Sequence, residues 1–498
     1  MKKSIAYIFI SIVFILNCNA QLYDNTFNGT GVWNAEIRNG FNVLKAIAIQ
    51  SDGKIVIAGS TADAGASAVR QFMLGRLTTG GVLDNSFGTA GIAEFAFSTD
   101  LNNSADNIIV SNGSIYACGF NNNSGVFEAL LVKLDNTGNL DATFNGTGKL
   151  TETINGSNEN IPYSINATSD NKIITIGHSY TSQLHLSGFK VDATGVLDNT
   201  FGTNGKIFFN TIGDPIQNSC IQTDNKILLV ANGILMRIKT NGNLDSTTFG
   251  TNGQVNLSLG LGFIQDVATQ KDGKIVLCGR DANNNFVVCR YNTNGTIDAT
   301  FGTNGTVIVP FAGDANEATA ITIDTTSTSG KIFVTGYSAY NSETTEYFAL
   351  ARLNPTDGTV EAHAEFQPNG LNAGGTDIVL QSDGKVVIGG STSSYSINDF
   401  IVTRILPNFA TLVATGVLAS TEISTGINLF PNPASQNINV HSAYNIEQIK
   451  VIDVLGNEVM SVISSGNTQI DISSLPKGLY NFVITTDKGI GNKKVSVQ

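Results

Sequence analysis

The chain has 498 residues, with 40 acidic against 28 basic side chains, a formal net charge of −12 and 52 glycines. An apolar fraction of 41% is too high for a disordered chain, and charged residues at 14% are too sparse for a coiled coil. The acidic balance argues against nucleic acid, whose binders carry a basic footprint. The length suits several domains, or one large repeat domain with additions.

At the N-terminus Lys2 and Lys3 precede an apolar run from Ser4 to Leu16, and Cys18-Asn19-Ala20 follows. This three-part pattern reads as a secretory signal peptide over residues 1–20, cleaved between Ala20 and Gln21. The run is shorter than the ~20 apolar residues a membrane helix needs, and no later segment reaches that length. No transmembrane segment is therefore expected in the mature chain. Asn17 stands where a lipoprotein signal wants a small residue, which argues against a lipid on Cys18. Cys118, Cys220, Cys278 and Cys289 are too few for a disulfide framework. Cys278 and Cys289 flank a hairpin tip and could face each other, though two small buried thiols are the better reading.

Internal repetition dominates the chain beyond the leader. The motif Leu-Asp-x-Thr-Phe-Gly-Thr-x-Gly recurs from Leu22, Leu83, Leu140, Leu197, Leu244 and Ile297, with a degenerate copy from Val360. Its aromatic is Phe27, Phe87, Phe144, Phe201, Phe249, Phe301 and Phe366, a mean spacing of about 56 residues. A second landmark is a turn between two apolar runs, such as Asp52-Gly53-Lys54, Asp224-Asn225-Lys226 or Asp383-Gly384-Lys385. Such pairs accept the positive φ of a tight hairpin. The β-branched runs around them, Ala46–Ile49 and Ile55–Ala58 for instance, read as strands. A third run, such as Phe72–Leu77, and a fourth, such as Lys206–Phe209, complete four strands per unit, the size of a propeller blade.

The phase of the repeat predicts ring closure. The chain enters on a fourth-strand motif at Leu22 and its last clear repeat strand, Phe400–Ile405, is of the third type. The N-terminal strand should therefore complete the seventh unit and remove its open edge. Each third strand carries one cation and each motif one acid. This predicts the pairs Arg76–Asp84, Lys133–Asp141, Lys190–Asp198, Arg237–Asp245, Arg290–Asp298, Arg352–Glu361 and, across the closure, Arg404–Asp24. One pair per unit points to a structural role.

The motif and the Gln-Ser-Asp-Gly-Lys-Ile-Val-Ile-Ala-Gly type of turn together resemble the delta-60 repeat family over roughly residues 22–406. The resemblance implies an all-β, seven-bladed β-propeller over residues 21–407 and brings no catalytic residues with it. Small and mixed residues over 408–426 read as a linker. Residues 427–498 contain Pro431-Asn432-Pro433, Asp453-x-x-Gly456, Gly478-x-Tyr480 and a basic end at Lys493-Lys494, with alternating runs that suit a small β-sandwich. They resemble the type A C-terminal sorting domain of the type IX secretion system. That resemblance implies a Bacteroidota-type cell, the secretion machinery as a partner, and a cargo released or held at the cell surface.

Chemistry is sparse. His178 and His185 are expected in an exposed loop of the third unit, with no acid or thiol at metal-ligating spacing. Counting seven back from the hairpin glycines puts Asp106, Asp266 and Asp377 at one channel mouth, where they could hold calcium, serve acid–base work or simply solvate strand starts. No other cofactor is expected. Tyr180, Tyr337, Tyr340 and Tyr395 in long loops could stack on sugars, grip a protein or cover blade edges. Three functions stay open: a binding or adhesion module for an extracellular polysaccharide or a surface protein, a polysaccharide-acting enzyme using the three carboxylates, and a structural surface-layer component. Propellers host all three.

Overall fold

The computed structural model describes residues 22–65, 70–97, 102–210, 216–231, 233–257, 261–325, 330–340, 345–392, 399–411, 427–452, 458–463, 466–486 and 489–498. The leader, the cleavage point at Ala20 and Gln21, most of the 408–426 segment and Tyr395 lie outside the described residues. These residues fall into two compact units, divided between positions 413 and 414.

The first unit is built of antiparallel strands and one 3-10 turn at Pro368–Gly370. Strand β1 (Val32–Ala35) comes first. Six meanders of four strands follow. These are β2–β5 (Phe41–Ile49, Ile55–Ala62, Gln71–Leu77, Ile92–Phe95), β6–β9 (Asn103–Ser111, Ser114–Asn123, Val126–Leu134, Lys149–Glu152) and β10–β13 (Glu159–Ala167, Ile173–Tyr180, Leu184–Val191, Lys206–Phe209). Next come β14–β17 (Ile216–Ile221, Ile227–Ala231, Ile234–Ile238, Gln254–Asn256), β18–β21 (Leu261–Thr269, Ile275–Asp281, Phe286–Tyr291, Thr306–Ile308) and β22–β25 (Ala315–Ile323, Ile332–Tyr340, Thr345–Leu353, Val360–Phe366). Strands β26 (Ala373–Leu380), β27 (Val386–Thr392) and β28 (Phe400–Ile405) end the run, and β1 pairs antiparallel with β28 to make their fourth strand. The second and third meanders also touch through one parallel bridge, Glu159 to Phe127.

The turns between first and second strands work as their residues dictate. The third turn residue is Gly53, Gly113, Gly273, Gly330 or Gly384, and Asn171 or Asn225 in two units; all seven have φ between 59 and 83°. Glycine, and asparagine next best, tolerates that conformation. Second strands are buried over most of their length, β3 throughout, so each sheet is covered on both faces. The cores lie between meanders. One apolar cluster joins Phe72 and Ala105, the next Phe144 and Ile165, then Phe201 and Ile216, and so on until Phe400 and Leu44 join the last meander to the first. Each buried Phe contributes ~1.5–3 kcal/mol, so neighbouring sheets hold one another in a closed series.

The second unit holds a three-stranded sheet of β29 (Ile427–Phe430), β30 (Asn437–Ser442) and β33 (Thr468–Asp471). Its four-stranded sheet runs β32 (Glu458–Ile463), β31 (Ile446–Ile452), β34 (Gly478–Thr486), β35 (Gly489–Val497). Ile438, Ile449, Ile470, Phe482 and Val495 share one buried cluster between them.

Candidate functional site

Each third strand delivers its cation to the acid of the following motif. Arg76 Nε meets Asp84 at 2.9 Å, Lys133 meets Asp141 at 2.9 Å and Lys190 meets Asp198 at 3.5 Å. Arg237–Asp245 measures 3.0 Å, Arg290–Asp298 2.7 Å and Arg352–Glu361 3.3 Å. Arg404 Nε lies 2.8 Å from Asp24, across 380 positions of chain. The motif itself is a capped turn. Asp24 Oδ1 accepts the N–H and hydroxyl of Thr26, and Asp84, Asp141, Asp198 and Asp298 treat the residue two beyond them alike. Oδ2 is left for the cation. Hydrogen bonds from Lys133 and Thr143 hold the Asp141 carboxyl at about 2. At Asp84 burial pushes upward, but hydrogen bonds from Ser86 and Lys54 keep it well below the usual carboxylate range.

The arginines also reach beyond their own blades, which the spacing of the pairs did not predict. Arg76, Arg237 and Arg404 each pass a second guanidinium N–H to a backbone carbonyl of the next meander, at Asn136, Thr293 and Thr79, over 2.6–2.7 Å. Arg290 and Arg352 do the same to Pro355 and Pro407. The motif Phe lies beneath the guanidinium, as Phe301 beneath Arg290 at 4.4 Å. The degenerate copy differs: Val360–Phe366 is itself a strand, and Phe409 takes the place under Arg352 at 5.1 Å. A second cation comes from the hairpin turn, Lys54 on Asp84 at 3.0 Å and Lys274 on Asp298 at 2.9 Å. The Gly-Lys and Asn-Lys pairs were the available signal for it. Ser114 stands in that place in the second meander.

The first strands β2, β6, β10, β14, β18, β22 and β26 surround one opening of about 410 Å³. Every one carries a bulge, where the partner register skips a residue: Lys45, Asp106, Tyr163, Gln217, Gln265, Thr319 and Thr376. All seven line the opening. A bulge re-aims one side chain and kinks the strand. It also brings a carbonyl against the second strand, so a Cβ at Gly279 would stand 2.0 Å from the Phe263 carbonyl oxygen.

This geometry revises the carboxylate alignment. Asp106 is a bulge residue, whereas Asp266 and Asp377 each stand one place beyond a bulge. Asp377 lines the opening with Asp106, but Asp266 is buried behind it. The oxygens of Asp266 accept the N–H groups of Val267 and Ile321 and the amide of Asn218 at 2.7–2.8 Å. Asp377 accepts the N–H groups of Ile378 and Ile47, both at 2.7 Å. Burial pushes the Asp266 carboxyl up to about 7 and that of Asp377 to about 6. Both carboxylates therefore bind adjoining meanders together and have few lone pairs for calcium. Among the described residues no group of three or more His, Cys, Asp or Glu is placed to hold a metal. Asp106 differs. Its Oδ1 accepts the Ser104 hydroxyl at 2.8 Å, and Oδ2 is enclosed with no hydrogen-bond partner. Burial raises this carboxyl, against the attraction of Lys45.

The remaining candidates are dispersed. Tyr180 is exposed at the end of β11. Tyr337 donates to Glu317 at 2.9 Å and Tyr340 to Glu365 at 3.0 Å, so both phenols are tied down by acids. His178 and His185 lie in strands β11 and β12 rather than an exposed loop, and both are buried. His178 pairs across from Leu186 and His185 from Ser179, which puts the two rings on opposite faces of the sheet. They cannot share a metal. The same argument separates Cys278 and Cys289, whose partners are Val288 and Leu277. Both are free and buried.

The family model for a secretion system C-terminal sorting domain matches residues 428–498. A β-propeller domain of unknown function matches residues 50–87, 270–301, 328–363 and 381–408. No curated protein matches the chain. Among solved structures, Sqt1 from Chaetomium thermophilum is 10% identical, with a TM-score of 0.42, over 94% of this chain and 100% of its own. PorZ, a surface component of the type IX secretion system of Porphyromonas gingivalis, is 9% identical at a TM-score of 0.24, over 91% and 81%. The aldose sugar dehydrogenase of Streptomyces coelicolor is 9% identical at 0.35, over 75% and 98%. These are general likenesses of shape and say nothing of chemistry. Among the described residues no helix is long and apolar enough to cross a membrane. The chain is a β-propeller protein with a C-terminal sorting domain of the type IX secretion system, which engages that machinery and directs the protein to the cell surface or beyond.

Proposed function

We propose that the chain is a seven-bladed β-propeller, closed by its N-terminal strand and followed by a small β-sandwich, which acts outside the cell as a binding or adhesion module. Its mature form begins at Gln21, and the segment around 408–426 links its two parts. The observation that carries this reading is the ring of bulge residues. The ion pair of each blade keeps one plan, whereas the seven side chains turned toward one opening comprise five residue types, Lys, Asp, Tyr, Gln and Thr. A regular scaffold that concentrates its variety at one concave place is how a fold carries a grafted site. The acid–base reading is weaker, because Asp266 and Asp377 hold backbone N–H groups rather than facing a substrate.

The test is affinity electrophoresis of the mature chain through gels containing soluble polysaccharides or extracted surface glycans, each recovered afterwards for sizing. Retardation by an intact polymer is the expected result. A shortened polymer replaces this reading with an enzyme. Migration unchanged in every gel, with self-association in solution, replaces it with a surface-layer component.

A further inference from the structure

The seams between blades at the channel are not alike. Asn107 donates to the Tyr163 carbonyl at 3.0 Å, Ser164 bonds Ser219, and Asn218 donates to Asp266 at 2.8 Å. Asp266 then accepts from Ile321, Thr319 donates to the Gly375 carbonyl at 2.7 Å, and Asp377 accepts from Ile47. Side chains at or just past the bulge thus stitch the second blade to the third and every later seam round to the first. Between the first and second blades the residue past the bulge is Ala46, which has no polar group to give. At this same seam stand exposed Lys45 and the unpartnered Oδ2 of Asp106. Tyr163, on the far side of Asp106, leans its ring on His178 with centroids 5.3 Å apart.

We infer that this seam is a subsite for a non-acidic sugar ring, held through two neighbouring hydroxyls by Lys45 and Asp106; the inference rests on the binding-module reading above. An ammonium only donates and an ionised carboxylate only accepts. A vicinal diol offers both roles at once, and its second hydroxyl proton gives Asp106 the partner it lacks. That contact requires the carboxyl to turn toward the opening, because Oδ2 is enclosed and Oδ1 accepts from the Ser104 hydroxyl. Such charge-assisted bonds are stronger than neutral ones. Tyr163 supplies an aromatic face beside the pair. The charges set the class. Lys45 is the one cation lining the opening among the described residues, while Asp106 and Asp377 line it and Asp266 lies behind. This negative surround stands against an acidic sugar.

The experiment is calorimetric titration of the full mature chain with neutral oligosaccharides cut from soluble glucan, xylan and mannan, and with oligogalacturonate as the acidic counterpart. Lys45→Met tests the donor without touching the fold, because the side chain is exposed, and Asp106→Asn keeps the shape of the acceptor. The expected result is binding of a neutral oligosaccharide, weakened roughly tenfold or more in each variant. Neutral binding at unchanged affinity in both variants overturns the subsite and leaves the binding module standing. Preference for oligogalacturonate overturns the sugar class. If no sugar binds, the subsite falls, and retention of the chain by whole extracted surface material then decides whether the module survives.

Discussion

The turn ends of the blades and their channel edges are built from the same repeat by opposite rules. At the turn ends every unit pairs its third-strand cation with its motif acid on one plan, and five of those seven cations are arginines that reach a carbonyl of the next blade. Along the channel each first strand is bulged, but what the bulge presents differs around the ring. One edge holds the blades in register on a single plan; the other also stitches every seam but the first, with different side chains at each. Function in such a repeat can be placed at the seam the scaffold leaves unstitched.

The largest expected effect comes from breaking the uniform end. Arg290 is 1% exposed and paired with Asp298. Arg290→Ala takes one of two cations from a buried carboxylate and strips the Pro355 and Thr356 carbonyls of their donor, and should lower unfolding free energy by ~3–5 kcal/mol, read from urea denaturation. Lys133→Ala should cost less, because Lys133 makes no guanidinium bridge and Asp141 is more open to water. Equal losses would break the distinction between stitched and unstitched blades. At the channel edge, Gly279→Ala forces a methyl onto the Phe263 carbonyl and should cost ~1–3 kcal/mol, as overpacking does. A neutral result there would show that the bulge relaxes.

These two edges were also unequally legible. The ion pairs are visible in the sequence because cation and acid lie eight or nine positions apart within one hairpin, and repetition exposes the spacing; even Asp24–Arg404 follows from phase alone. A bulge is a one-residue slip with no motif of its own. Counting back from the hairpin glycine placed Asp106 beside Asp266 and Asp377, but the second unit turns tightly, Ser111 against Ser114, where the others use a longer turn. The count therefore slid by one. Tyr337 and Tyr340 looked free because Glu317 and Glu365, which hold them, are distant in sequence. The polar stretch around His178 and His185 masked two strands whose burial comes from neighbouring blades.

A third prediction sharpens the contrast through pH. The motif aspartates are held below their ordinary range, so their stabilising effect is present at neutral pH and lost only in strong acid. Asp266 is opposite in sign. Its folded value, about 7, lies above the unfolded one, so the native state binds the proton more tightly. Its contribution is fully present below the unfolded value of about 4, is lost between there and about 7, and is absent above. Between pH 5 and pH 8 this should remove roughly 2–3 kcal/mol, a share of the slope that Asp266→Asn takes away in thermal melts while Asp377, raised to about 6, keeps its own. His363, whose imidazole is depressed by burial, works the other way and is common to both proteins, so the difference between the two melts isolates Asp266. An identical slope in both would mean that Asp266 stays ionised throughout.

The smallest effect tests whether the uniform end is a rule that can be extended. The second blade departs from it twice, with Lys133 where most blades have Arg and Ser114 where most have Lys. Lys54, Lys172, Lys226, Lys274 and Lys385 all lie within 4 Å of the acid in their own blades. Ser114→Lys should place an ammonium against Asp141, whose side chain is 22% exposed and already bound by Lys133. Because the new cation sits near solvent, the gain should be no more than ~0.2–1 kcal/mol, and it should shrink in high salt as surface pairs do. A measured gain that vanishes with salt extends the rule to the one blade that lacks it. A loss would mean that Tyr116, whose ring lies 5.8 Å from the Lys133 ammonium, already occupies the space a second cation needs.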